Sequence, residues 1–169
     1  MKKNVKKLSL LIIIVVVFTC MPVLTASAVS NGVGDSLLSK LNKLTPSNGT
    51  HIWCLQYILR DANELASKDC DGKWGTTTKK AVMAFQSDKG EGLSIDGIVG
   101  PKTIIALVQY ELRYIQKIKG QDGKDLKIDG IVGPNTIFAI KAFQKKRSIT
   151  QDGVVGDDTW GYVSGYYGC

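Results

Sequence analysis

The chain has 169 residues, a formal net charge of +7 and four cysteines. Four of the positive charges are Lys2, Lys3, Lys6 and Lys7, and no acid precedes Ala28, so the remainder carries only +3. That is too sparse for a nucleic-acid interface, which wants a dense basic patch, and it leaves a mild attraction to anionic surfaces.

In chain order, "MKKNVKK" is followed by the apolar run "LLIIIVVVF" and then by "TASA". A basic start, an apolar middle and an A-x-A end read as a secretory signal peptide over 1–28, cleaved after Ala28. The run is shorter than the roughly 20 apolar residues of a membrane span, so no membrane contact is expected once the leader is gone. Residues 29–50 read as an amphipathic segment and a connector. "DSLLSKLNKL" (35–44) places Leu37, Leu38, Leu41 and Leu44 at helical spacing. "TPSNGT" (45–50) is turn-rich, with Thr50 as a candidate N-cap. Export permits disulfides among the remaining Cys54, Cys70 and Cys169. A Cys54–Cys70 bridge would staple a helix to the loop after it, worth about 3 kcal/mol if unstrained, with Cys169 left over.

Beyond residue 50 one pattern recurs four times: "DGKWGTTT" from Asp71, "DGIVGPKT" from Asp96, "DGIVGPNT" from Asp129 and "DGVVGDDT" from Asp152. The steps of 25, 33 and 23 residues are unequal, which rules against a uniform solenoid. Taken in alternate pairs they become 58 and 56, so the chain reads as two repeats of two half-motifs each. An apolar residue followed by Gln precedes each motif: Leu55-Gln56, Phe85-Gln86, Ile115-Gln116 and Phe143-Gln144. Repeat 1 is assigned to 51–108, and repeat 2 with its tail to 109–169.

Each motif reads as a turn running into a helix. Asp71, Asp96, Asp129 and Asp152 can bond the turn backbone with their own side chains. Gly72, Gly97, Gly130 and Gly153 can take positive φ. Gly75, Gly100, Gly133 and Gly156 lead into the helix, with Pro101 and Pro134 suited to its first position and Asp157 and Asp158 to the first turn. The Gln side chains are expected to bond loop backbone. Helical spacing groups Ala81, Val82 and Phe85 after the first motif, and Ile137, Ile140 and Phe143 after the third. No breaker interrupts Pro101 to Lys119, which predicts a shared or nearly continuous helix joining the repeats.

Four such linked motifs, with "AVMAFQ" (81–86) and "AIKAFQ" (139–144) between them, resemble the peptidoglycan-binding domain of type 1. The resemblance covers nearly everything beyond residue 50. It implies an all-α fold of two tandem small three-helix bundles, and a bacterial wall-binding module. Such modules commonly accompany a wall-cutting enzyme, and no such domain is recognisable here.

Catalytic chemistry finds little support. The chain has one His, His51, whereas zinc hydrolases want several His and carboxylate ligands; His51 reads as a capping or surface residue. The repeated Asp residues could tempt a two-carboxylate glycosidase reading, but their identical turn context argues for capping. "DCDG" (69–72) lacks the further ligands of a calcium loop. No metal and no cofactor is expected.

The expected protein is secreted, associated with the bacterial cell wall and non-catalytic, and it binds peptidoglycan through glycan or stem peptide. The alternatives are an accessory or inhibitor protein that binds a cell-wall enzyme and, more weakly, a hydrolase with unrecognised carboxylates. Ligand candidates lie outside the motifs: Tyr110 and Tyr114, four apart on the joining helix; Trp160 and Tyr162, with Tyr166 and Tyr167, near the end; and Lys141 and Lys145. Trp74, Phe85 and Phe143 are assigned to the core.

Overall fold

The computed structural model describes residues 49–165. They form five α-helices and no β-strand: α1 Gly49–Asp61, α2 Thr76–Asp88, α3 Pro101–Tyr110, α4 Pro134–Lys146 and α5 Asp157–Val163. A short 3-10 turn, Ser67–Asp69, lies in the loop after α1. A π-helical turn, Glu111–Ile115, extends α3. The proposed leader and amphipathic segment lie outside the described residues, as do Tyr166, Tyr167 and Cys169.

The helix starts follow the motif. α2 to α5 each begin directly after the second motif glycine, which holds extended backbone at the N-cap. Pro101 and Pro134 occupy the first turn of α3 and α4, where a missing N–H costs nothing. Asp157 and Asp158 open α5. Thr50 lies inside the first turn of α1 instead of capping it.

Burial explains the arrangement. α1, α2 and α4 each bury one face; α2, for example, buries Thr78, Ala81, Val82, Phe85 and Gln86. α3 buries every residue from Thr103 to Tyr110, and Glu111 and Leu112 beyond it are buried too. A helix apolar all round belongs at the centre of a fold. α3 is therefore the shared pillar, and the uninterrupted 101–119 stretch ends in the π turn, with Lys117 in left-handed backbone at φ 56°. One contiguous core runs from Leu55 and Phe85 through Ile104 and Leu107 to Phe143 and Trp160. The last helix returns to the first: α5 packs on α1, and His51 Nε2 lies 3.3 Å from Asp157 Oδ1. Neither repeat keeps a core to itself, as expected of units near 55 residues, whose own cores would be marginal.

Some expectations need correction. The Cys54–Cys70 bridge is not formed. Cys70 is a buried free thiol whose Sγ–H points at the carbonyls of Gln56 and Ala66, 3.6 and 3.9 Å away. Burial pushes its pKa up. Cys54 is disulfide-bonded, and not to Cys70. On α4 the buried face uses Ala139 with Ile140 and Phe143, whereas Ile137 stays exposed.

Candidate functional site

Each motif closes around one glutamine. At the first, Gln56 Nε2 lies 3.0 Å from Asp71 Oδ1, 3.1 Å from the Lys73 carbonyl and 3.0 Å from Thr78 Oγ1. Its Oε1 accepts the Gly72 N–H at 2.7 Å. Two amide hydrogens serve three acceptors, so one is shared; the Thr78 hydroxyl in turn donates to the Lys73 carbonyl. Asp71 also accepts the N–H of Lys73, two residues on. The same set recurs around Gln86 with Asp96, Gly97, Ile98 and Thr103. It recurs around Gln109 with Asp129, Gly130, Ile131 and Thr136. Gln144 completes it with Asp152, Gly153, Val154 and Thr159.

The first motif glycine has φ of 70°, 69°, 69° and 79° in turn, the region where only glycine is unstrained. Gly130 carries a second constraint. A Cβ there would sit 2.5 Å from the Lys102 carbonyl oxygen, so the third joint rests directly on repeat 1. The hydrogen bonds hold two of the carboxyls below their ordinary range. For Asp71 the main cause is the Gln56 amide; for Asp96 it is the Ile98 N–H.

One expected marker is displaced. Gln109, not Gln116, serves the third joint; Gln116 instead accepts a long 3.4 Å bond from Arg147. The clue is "VQYEL" (108–112) against "LQYIL" (55–59), which aligns Gln109 with Gln56. That alignment also pairs Glu111 with Ile58, a fully buried core position. Glu111 is itself buried, and its Oε1 has no hydrogen-bond partner. Desolvation, with the Asp61 charge adding to it, pushes the carboxyl up to about 9, so it is neutral at pH 7.

Grooves lie beside all four joints, but the Gln, Asp and Thr groups there are already bonded to one another. A different opening lies where the repeats meet. Asp88, Lys89, Glu91, Tyr110, Arg113, Tyr114 and Ile128 line a cleft of about 430 Å³, larger than the 220–360 Å³ grooves at the joints. Its sides are tied together by the Glu91 N–H, which donates to the Ile128 carbonyl at 2.7 Å. Tyr110 is 8% exposed, sits edge-on to Phe85 and donates its hydroxyl to the Asp61 carbonyl. Tyr114 is 41% exposed, with its ring centroid 4.8 Å from that of Tyr110 and 4.9 Å from the Arg113 guanidinium carbon. Arg113 Nη1 donates to the Leu126 carbonyl at 2.8 Å, and Nη2 lies 3.7 Å from the Asp125 carboxylate. Lys89 Nζ lies 3.4 Å from Glu64.

Of the ligand candidates, the cleft brings together Tyr110 and Tyr114 alone. Trp160 is wholly buried and belongs to the core; α5 is short, and the indole fills the space beneath it. Tyr162 packs half-buried against the same core. Lys141 and Lys145 are exposed on α4 and do not line the cleft. Sequence reasoning missed Asp88, Lys89, Glu91 and Arg113, which come together only through the packing of the repeats.

A family model described as a peptidoglycan binding domain matches residues 54–107 and again 108–162. No curated protein and no solved structure matches. The boundary between the two matches falls one residue before Gln109, where the third joint takes its glutamine.

Proposed function

Because the chain belongs to the peptidoglycan-binding domain family across two adjacent repeats, we propose that it is a secreted, non-catalytic protein of the bacterial cell wall that holds peptidoglycan in the cleft between the repeats. The observation carrying this is the contrast in polar groups. Those of the joints are bonded internally, whereas Tyr114, Asp88 and Glu91 stand exposed around an opening. Such clefts, with a few placed polar groups around aromatic side chains, are the ordinary form of a binding site.

Export rests on the "MKKNVKK…TASA" leader, and an oxidised Cys54 agrees with it. The non-catalytic reading rests on the family match alone covering the folded part. Among the described residues no group of three or more His, Cys, Asp or Glu could hold a metal, and no helix is long and apolar enough to cross a membrane.

Purified exported protein mixed with insoluble sacculi tests the reading. It is expected to co-sediment and to release no soluble muropeptides. Failure to co-sediment would sink the proposal. Release of muropeptides would make the protein a hydrolase. The second reading, docking onto a wall enzyme, is favoured by the exposed apolar side chains of Ile95, Ile98, Ile131 and Phe138. It predicts co-purification with a hydrolase in the absence of sacculus binding.

A further inference from the structure

The cleft has a chemical character of its own. A sugar site offers an aromatic face on which a pyranose ring can lie. Only Tyr114 exposes part of its ring here, and two neighbours already meet that ring. Tyr110 is buried, edge-on to Phe85 at 5.9 Å between centroids. The Tyr114 ring is already engaged by the Arg113 guanidinium and by Tyr110. What the cleft does offer is charge of both signs. Asp88 and Glu91 are exposed, and neither is in an ion pair among the described residues. Lys89 and Arg113 supply the cations.

Arg113 is the most informative of these. Its Nη1 is fixed by the Leu126 carbonyl, which presets the guanidinium plane. Its Nε is buried and has no hydrogen-bond partner, which is costly to leave so. The neighbouring Nη2 is met only by Asp125 at 3.7 Å, and the Asp125 side chain is 59% exposed. Nε and Nη2 form one edge of the guanidinium, the edge that takes a carboxylate with two parallel bonds. A ligand carboxylate that displaces Asp125 would take its place at Nη2, and would reach the buried Nε–H once the groups over it move.

Resting on the wall-binding reading above, we propose that the cleft recognises the peptide stem of peptidoglycan and not its glycan. The repeating sugars of the glycan carry no charge. A stem peptide presents a terminal carboxylate, suited to Arg113, and an amino group on its diamino-acid residue, suited to Asp88 and Glu91. Both ends are bound as ions, so affinity falls as salt rises.

The test is competition. Exported protein is bound to sacculi and challenged with a free stem tetrapeptide, with the same peptide amidated at its terminal carboxylate, or with a chitin tetramer. The free tetrapeptide is expected to release the protein and the chitin tetramer to leave it bound. Amidation should weaken competition at least tenfold. Arg113→Gln should lower sacculus affinity by a similar factor. Because amidation alters only the ligand, it decides the matter even if the variant folds poorly. Release by the chitin tetramer but not by the peptide, or equal competition by free and amidated peptides, would overturn the proposal while leaving wall binding intact. No sacculus binding at all would overturn the wall reading and this proposal with it.

Discussion

The four joints and the cleft between the repeats use their polar residues in opposite ways. In a joint, Gln, Asp, Thr and glycine N–H satisfy one another, and the same set of contacts is built four times. In the cleft, Asp88 and Glu91 are in no ion pair among the described residues, and a buried Arg113 Nε–H has no partner there. The most repeated residues in the sequence are thus spent on holding helices, and the residues that do not repeat are free to meet a ligand. Repetition reports what the fold requires, because each turn-to-helix joint poses the same backbone problem.

The comparison is broken most severely at the third joint. Gln109→Leu should strip partners from Gly130, Asp129 and Thr136 at once. Unmade buried hydrogen bonds predict a loss of about 2–4 kcal/mol. Gly130→Ala should cost a similar amount, about 2–4 kcal/mol, because it combines left-handed backbone strain with a clash against the Lys102 carbonyl. Denaturant unfolding measures both. Either change should weaken sacculus binding only in proportion to the unfolded fraction. A folded Gln109→Leu protein that has lost binding would move the ligand site to the joints.

Arg113→Gln sharpens the comparison from the other side. It should lose binding at least tenfold while stability changes by no more than about 1 kcal/mol, the worth of the bond to Leu126. Sedimentation and denaturant unfolding, run on the same preparation, separate the two effects.

Glu111 lies between these cases, a carboxyl placed where repeat 1 has Ile58. Its folded pKa of about 9 stands above its reference of 4.5. Between those values the folded state holds a proton that the unfolded state has lost, so this residue makes stability fall as pH rises. Glu111→Gln should flatten the decline across roughly pH 5–9, and Glu111→Ile should raise stability at pH 8 above that of the parent. Thermal unfolding across pH checks this; an unchanged slope in Glu111→Gln would contradict it. The smallest effect is expected on α4. Lys141→Ala and Lys145→Ala should each change stability by less than about 0.5 kcal/mol and sacculus binding by less than twofold.

Much of the fold is legible in the sequence because its punctuation is local. The four motif D-G turns, the second glycines, Pro101 and Pro134 each act within a few residues, and every one marks a helix start. The joining helix resists such reading. It has no breaker between Pro101 and Lys119, so nothing local says which apolar-Gln pair faces the third joint, and the marker is read at Ile115-Gln116 instead of Val108-Gln109. Only alignment of "VQYEL" with "LQYIL" sets the register. Cys54 and Cys70 look like partners by spacing, yet the loop turns the Cys70 thiol toward the carbonyls of Gln56 and Ala66. Trp160 looks like a ligand platform but is drawn inward because short α5 must close the core over α1. The cleft gathers α2, the loop after it, the π turn and the approach to the third joint, so its charged lining exists only once the repeats have packed.

The most direct test of this division of labour is an amide chemical-shift map of the exported protein titrated with the stem tetrapeptide. Shifts are predicted to gather on Asp88, Glu91, Arg113 and Tyr114, with the amides of Gly72, Gly97, Gly130 and Gly153 unmoved. Shifts that gather on those four glycines instead, with the cleft silent, would contradict it.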